Sequence, residues 1–379
     1  MDRSSLPCPW WEHASGVIRF SPKARGKTIA DVIASLDRVQ QWGFDAVELF
    51  APYHGGVQYD GLDVIDYYNT DPAIGTMADF HALVSACHAR GLALIVFVNL
   101  GYTAITHPAF EKACDDVRAG VDSAERRWFL WSDTGTEEFD RSRTPYFMND
   151  LHGGWRYSER AGKYFWVKWF GEKGDVVLPQ LNFGDPGWQE ECRRVVRFWM
   201  DTGIDGMIID AVNWYMNCTW EINNAAITDV IRSYPNSYIQ PEGAGAFRDY
   251  PVPWITQGHY NSVQDYGLSI WWTGHDVIGK AIDTGCPSEI EAELRAYRDR
   301  VVEAGGVTYL GPFWRKERPV EERLLEIATI ATVGELLVGK DAALESGWTE
   351  EQYAALSAIL QAVRRYPALQ APGDRKRVP

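Results

Sequence analysis

Eight short apolar, β-rich runs punctuate the chain: Gly16–Phe20, Ala46–Phe50, Ala93–Asn99, Gly206–Ile209, Tyr238–Gln240, Ser262–Gln264, Val307–Leu310 and Glu335–Val338. Between most of them the apolar positions change to helical spacing. Alternation of strands and amphipathic helices predicts an α/β parallel architecture. Eight such units over 379 residues favour closure into a (β/α)8 TIM barrel over the competing doubly wound open sheet. Helix starts are well marked. Thr76 precedes an amphipathic run, Asp185-Pro186 is an N-cap followed by proline, and Ser288-x-x-Glu291 and Thr349-x-x-Gln352 read as capping boxes. Gly91 and Gly203 stand where helices should stop.

One stretch breaks the rhythm. Residues 102–181 are irregular and rich in Trp, Arg, Asp and Gly. An ordinary βα connection takes two to six residues, so a connection of ~80 is expected to be an inserted subdomain after the third strand, and a wall of the barrel mouth. The organisation predicted is a first barrel part (1–101), the insertion (102–181), a second barrel part (182–370) and a tail (371–379).

Composition narrows the partners. A formal charge of −15 argues against nucleic acid or an anionic membrane surface. Seventeen Trp, eighteen Tyr and fifteen Phe supply platforms suited to sugar rings, although most aromatics in a globular protein are core. Cys8, Cys87, Cys114, Cys192, Cys218 and Cys286 are scattered, with no zinc-like spacing. Scattered thiols, an N-terminus without an apolar signal core and the lack of any ~18-residue apolar run predict a cytoplasmic protein. No cofactor or metal motif is found, and the oligomeric state is not legible.

The chemistry concentrates on Asp210 and Glu242, each just past an apolar strand. They are separated by about one strand-plus-helix unit of an eightfold barrel, about 31 residues, so both are expected at the same mouth. Two carboxylates facing one cavity are what retaining glycoside hydrolysis needs. Strand-end carboxylates also cap helices or pair with buried cations.

Several segments, in the right order, resemble the α-amylase family, glycoside hydrolase family thirteen. They are DGLDVIDYYNTDPAIGTMADF at 60–80, HARGLALIVFVNLGYTAITHPAF at 88–110, LPQLNFGDPGWQEECRRVVRFWMDTGIDGMIIDAVN at 178–213, and IQPEGAG at 239–245. The resemblance covers roughly residues 10–370 and implies the barrel with its insertion. It implies Asp210 as nucleophile, Glu242 as general acid/base and Asp63 as an organiser of the sugar subsite. His107 is expected to mark the start of the insertion rather than to do chemistry.

The departures are as informative. Leu62 stands where the family has the tyrosine that stacks under the sugar, and Phe97 where it has Asp. Gly101-Tyr102 replaces Asn-His, Ile208 replaces the Arg two residues before the nucleophile, and Phe313-Trp314 replaces His-Asp. The family's small C-terminal β-domain is also expected to be absent. Substrate contacts are therefore assigned to Asp63, Tyr102, Asp265, Phe313, Trp314 and Arg315. Asp265 is a candidate for the lost third carboxylate, Arg315 and Lys316 are the cations best placed to reach the mouth, and His54 and His275-Asp276 are weaker candidates. Replacing polar groups by Leu62, Phe97, Ile208, Phe313 and Trp314 makes the pocket more apolar. The expected activity is a retaining glycosidase or transglycosidase on a non-standard α-glycoside. Two alternatives stay open: a non-catalytic carbohydrate-binding or partner protein, and an isomerase or processing enzyme for a carbohydrate-like product.

Overall fold

The computed structural model describes residues 9–12, 14–139, 153–168, 176–242, 251–264, 277–286, 288–293, 299–310, 319–333, 335–338 and 349–366. Eight parallel strands form one sheet: β1 Gly16–Phe20, β2 Ala46–Phe50, β3 Ala93–Val98, β4 Gly206–Ile209, β5 Tyr238–Pro241, β6 Ser262–Gln264, β7 Val307–Leu310 and β8 Glu335–Val338. Their order is β5-β4-β3-β2-β1-β8-β7-β6. Neighbours in sequence are thus neighbours in space, and β1 joins β8. Asn261 bridges the two ends: its N–H donates to the Ile239 carbonyl (3.1 Å) and its Oδ1 accepts from the Ile239 N–H (2.8 Å). The sheet is therefore closed, with the α/β barrel layout expected.

β3, reading ALIVFV, is buried at every position. Parallel barrel strands are covered on both faces, which is why they read as unbroken apolar runs. The helices around them carry one apolar stripe. In Pro186–Asp201 the buried residues are Trp188, Cys192, Val195, Val196, Trp199 and Met200, a helical spacing. Asp185 caps that helix through the Trp188 N–H (3.0 Å) with proline next in line. Thr76 and Thr349 make capping boxes with Asp79 and Gln352. Gly91 and Gly203 adopt positive φ just beyond their helices. The helix at Ser288–Glu293 begins where expected, but the Glu291 side chain lies outside the described residues.

The hairpin after β2 and the internal make-up of the insertion were not read from the sequence. Tyr53–Gly55 and Val64–Thr70 pair antiparallel to form that hairpin. Between β3 and β4 the chain forms helices Pro108–Ala119 and Ala124–Arg127, then a three-stranded antiparallel sheet of Trp131–Ser132, Gly154–Ser158 and Lys163–Val167. This excursion is stitched to the mouth where it leaves and returns. Thr103 N–H donates to the Pro179 carbonyl (3.0 Å), and Leu181 N–H to the Gly101 carbonyl (2.8 Å). Among the described residues no helix is long and apolar enough to cross a membrane.

Candidate active site

Strand register determines what faces the barrel axis. Arg19 lies over the rings of Phe50 (5.3 Å) and Phe97 (5.0 Å), so these three look inward. Phe50 is in register with Phe97, Phe97 with Ile208, and Ile208 with Gln240. Side chains alternate along a strand, so the residues two further on, Asp210 and Glu242, occupy the next layer up. Phe97 and Ile208 thus belong to the apolar floor beneath the two carboxylates.

Asp210 is 6% exposed and its N–H donates to the Val98 carbonyl at 2.8 Å. The next residue, Ala211, is held at φ 39°, ψ 40°, left-handed geometry that costs a non-glycine residue about 1–2 kcal/mol. That turn presents the Ala211 N–H to Glu242 Oε2 at 2.9 Å. Glu242 in turn donates its own N–H to the Ile209 carbonyl (2.9 Å). The backbone beside one carboxylate therefore orients the other.

Tyr102, 1% exposed, donates its hydroxyl to Asp210 Oδ2 at 2.7 Å. Asn99 positions it. Its amide donates to the carbonyls of Leu62 (2.8 Å) and Tyr102 (2.7 Å), while its Oδ1 accepts from the N–H groups of Gly101 and Tyr102. Burial pushes the Asp210 carboxyl above the usual range, and Lys168, the Tyr102 hydroxyl and Arg19 oppose that push. Lys168 follows the last strand of the excursion. Its ammonium lies 4.7 Å from the Tyr102 ring centre and 5.1 Å from that of Trp214. Burial lowers its pKa, against the fields of Asp210 and Glu242.

Below the mouth, Arg19 Nε meets Glu48 Oε1 at 2.6 Å. Glu48 is fully buried; burial pushes its carboxyl up and Arg19 pulls it back.

Asp63 is buried, but its carboxylate oxygens accept the N–H groups of Gln58 (3.1 Å) and Tyr59 (3.3 Å). It therefore shapes the loop at the hairpin tip. A Cβ on Gly56 would stand 2.1 Å from Asp63 Oδ2, so a larger residue there would displace that carboxylate. That loop carries Tyr59, whose hydroxyl is pushed up by burial and then by Asp210 and Glu242, so Tyr59 neighbours both carboxylates.

Of the residues singled out from sequence, the structure brings Asp210, Glu242 and Tyr102 together and sets Asp63 in the adjoining loop. Asp265, His275, Asp276, Phe313, Trp314, Arg315 and Lys316 lie outside the described residues. Among the described residues, the cations brought to Asp210 are Lys168 and Arg19, neither of which was singled out. Leu62, Phe97 and Ile208 are all buried. His54 sits in the hairpin in register with Asp66.

His107 caps the helix Pro108–Ala119, its Nδ1 accepting from the Ala109 N–H at 3.1 Å, and burial pushes its imidazole down to about 4. The folded state thus binds this proton less readily than the unfolded chain. The resulting stability is complete above about pH 6.5 and is lost as pH falls toward 4. His107 as a whole residue is only partly buried, so about 3 kcal/mol is an upper bound. In His107→Asn, which keeps a capping oxygen, melting temperature should fall less steeply between pH 6.5 and 4. Equal slopes in the two proteins would refute the burial argument.

Comparison with known proteins agrees with this fold. The family model for alpha amylase, catalytic domain, matches residues 22–251. The trehalose synthase/amylase TreS of Mycobacterium tuberculosis is 31% identical over 209 residues, 54% of this chain and 33% of the relative. An alpha-glucosidase of Candida albicans is 29% identical over 220 residues, 54% and 36% of the two chains. The chain spans about a third of the length of the curated relatives it matches. Among solved structures, Eubacterium rectale Amy13B superposes with a TM-score of 0.74 at 17% identity, covering 94% of this chain and 80% of that one. The alpha-amylase from H. orenii gives 0.72 at 17% identity over 96% and 84%. At these identities the structural likeness establishes the fold alone.

Proposed function

Because the chain belongs to the alpha-amylase family, we propose that it is a retaining α-glycoside hydrolase or transglycosidase. Asp210 is the nucleophile and Glu242 the acid/base. The observation carrying this reading is the bond from the Ala211 N–H to Glu242 Oε2 at 2.9 Å, which joins carboxylates from adjacent strands at one mouth. Asp210 attacks the anomeric carbon as the glycosidic C–O bond breaks, and Glu242 gives its proton to the departing oxygen. Glu242 then takes a proton from the incoming water or acceptor hydroxyl, whose oxygen displaces Asp210.

The substrate is a glycoside less dependent on hydroxyl recognition than a glucan. Phe97 and Ile208 form part of an apolar floor where the family resemblance expects polar groups, and a site without those groups gains little from matching hydroxyls. Starch, maltose and sucrose are accordingly poor substrates. Residues 102–181 act as the wall of this pocket, with Asp63 supporting it through the Tyr59 loop. Similarity to proteins named trehalose synthases supports a second reading, isomerisation, in which the released sugar rather than water supplies the acceptor hydroxyl. Product analysis separates the two.

The test is covalent trapping. A panel of slowly turned-over fluorinated α-glycosyl fluorides should leave an adduct of one glycosyl unit on the peptide containing Asp210, read by mass spectrometry. An adduct on another residue would reassign the nucleophile. No adduct, together with no release from a broad set of aryl α-glycosides, would favour the non-catalytic alternative.

A further inference from the structure

The α-amylase resemblance calls for an arginine two residues before the nucleophile, and this chain has Ile208, wholly buried in β4. An ionised Asp210 in so dry a position needs a counter-charge. Lys168 stands where one could act. Its backbone N–H donates to the Leu178 carbonyl at 3.1 Å, fixing it at the edge of the excursion, and the residue is only 8% exposed. Its ammonium lies against the Tyr102 ring, and the hydroxyl of that same ring holds Asp210 Oδ2. Trp214, just beyond Asp210 in the chain, supplies the second ring.

Among the described residues Lys168 makes no direct ion pair, so its charge acts through space on the two carboxylates. In a site with little water, such a field is stronger than at a surface. The other groups facing Asp210 are Arg19 from β1, Tyr53 and Tyr59 from the hairpin, Tyr102 after β3, Tyr215 after β4 and Glu242 after β5. Of these, Arg19 is the only other cation, and it is already engaged with Glu48.

We propose that Lys168 is a positioning residue that keeps Asp210 ionised, replacing from the excursion the cation that β4 lacks. Ionisation of the nucleophile is thereby tied to docking of the excursion on the barrel. The inference rests on the retaining reading of Asp210.

The experiment uses the full chain with Lys168→Met, Lys168→Gln and Lys168→Arg. The titration of Asp210 is followed through the 13C carboxyl resonance that Asp210→Asn removes. In the folded neutral variants its midpoint should move to higher pH by about one unit, a tenfold loss of the ionised form below the midpoint. Lys168→Arg should return it most of the way. The acidic limb of kcat/KM, measured with the glycoside identified by trapping, should move in parallel. Lys168→Gln keeps the test available if Lys168→Met does not fold. An unmoved midpoint in either folded neutral variant overturns the proposal. Full activity in Asp210→Asn would instead sink the retaining reading, an outcome the carboxyl titration does not share.

Discussion

On the proposed retaining reading, Asp210→Asn should lose at least about a thousandfold in kcat/KM, because the variant lacks the carboxylate that would form the covalent intermediate. Its melting temperature at pH 7 should nevertheless equal or exceed that of the parent. Burial raises the Asp210 carboxyl even against Lys168, Tyr102 and Arg19, so desolvation outweighs attraction. A group whose folded pKa is raised contributes stability at low pH and loses it as pH rises through that value. The neutral amide removes this loss and still accepts the Tyr102 hydroxyl. The gain should therefore shrink as pH falls below the carboxylate range. A variant that loses activity and melts many degrees lower would show that Asp210 holds the fold rather than the reaction.

Arg19→Met carries the largest expected cost to stability. Glu48 is fully buried, and Arg19 Nε at 2.6 Å is the cation opposing its desolvation. Removing one partner of such a pair costs about 3–5 kcal/mol, whereas replacing both is often neutral. The double variant Arg19→Met/Glu48→Gln should recover most of the loss, and denaturant melts of the four proteins give the coupling directly. The sign with pH follows. Without Arg19, the Glu48 pKa rises further above its unfolded value, so the penalty is smallest in acid and grows as pH climbs past the carboxylate range. A single-variant cost below about 1 kcal/mol at pH 7 would mean that water reaches Glu48.

Most of the barrel was legible because its strands are short apolar runs between turn residues. Six of the eight predicted runs coincide with the observed strands. The run Ala93–Asn99 ends one residue earlier in the structure, and Tyr238–Gln240 extends one further to Pro241. The hairpin was not legible. HGGVQYDG at 54–61 reads as loop, and its strands are held by long-range ties such as Lys23 Nζ to the Gly55 and Gly56 carbonyls (2.6 and 2.9 Å). The sheet of the excursion was hidden too, since Gly154–Ser158 is half-exposed without clean alternation.

Of the candidate site, residues adjacent to strand ends could be read, because β-strand period and barrel topology place them. Lys168 could not. A single Lys in a stretch of aromatics gains meaning only when a distant return of the chain sets it over Tyr102. Arg19, inside GVIRF, had one available signal. A charge in the middle of an otherwise apolar strand of a closed barrel needs an opposite charge on a neighbouring strand, and Glu48 occupies that place in AVELF.

The two backbone bonds at the base of the excursion have a consequence for how such a protein can change. Thr103 to Pro179 and Leu181 to Gly101 bring its start and end side by side, so to the barrel it is a closed stalk. Lengthening a loop whose ends are already fixed costs only about 0.6 kcal/mol per doubling. Beyond the contacts that seat it on the barrel, such as Trp128 against Trp188, what lies past the stalk can therefore be shortened or enlarged at little cost in chain closure. Lys168, set over the Tyr102 ring, travels with it, so on the proposed reading the excursion is a cassette through which specificity and ionisation of the site can be altered together.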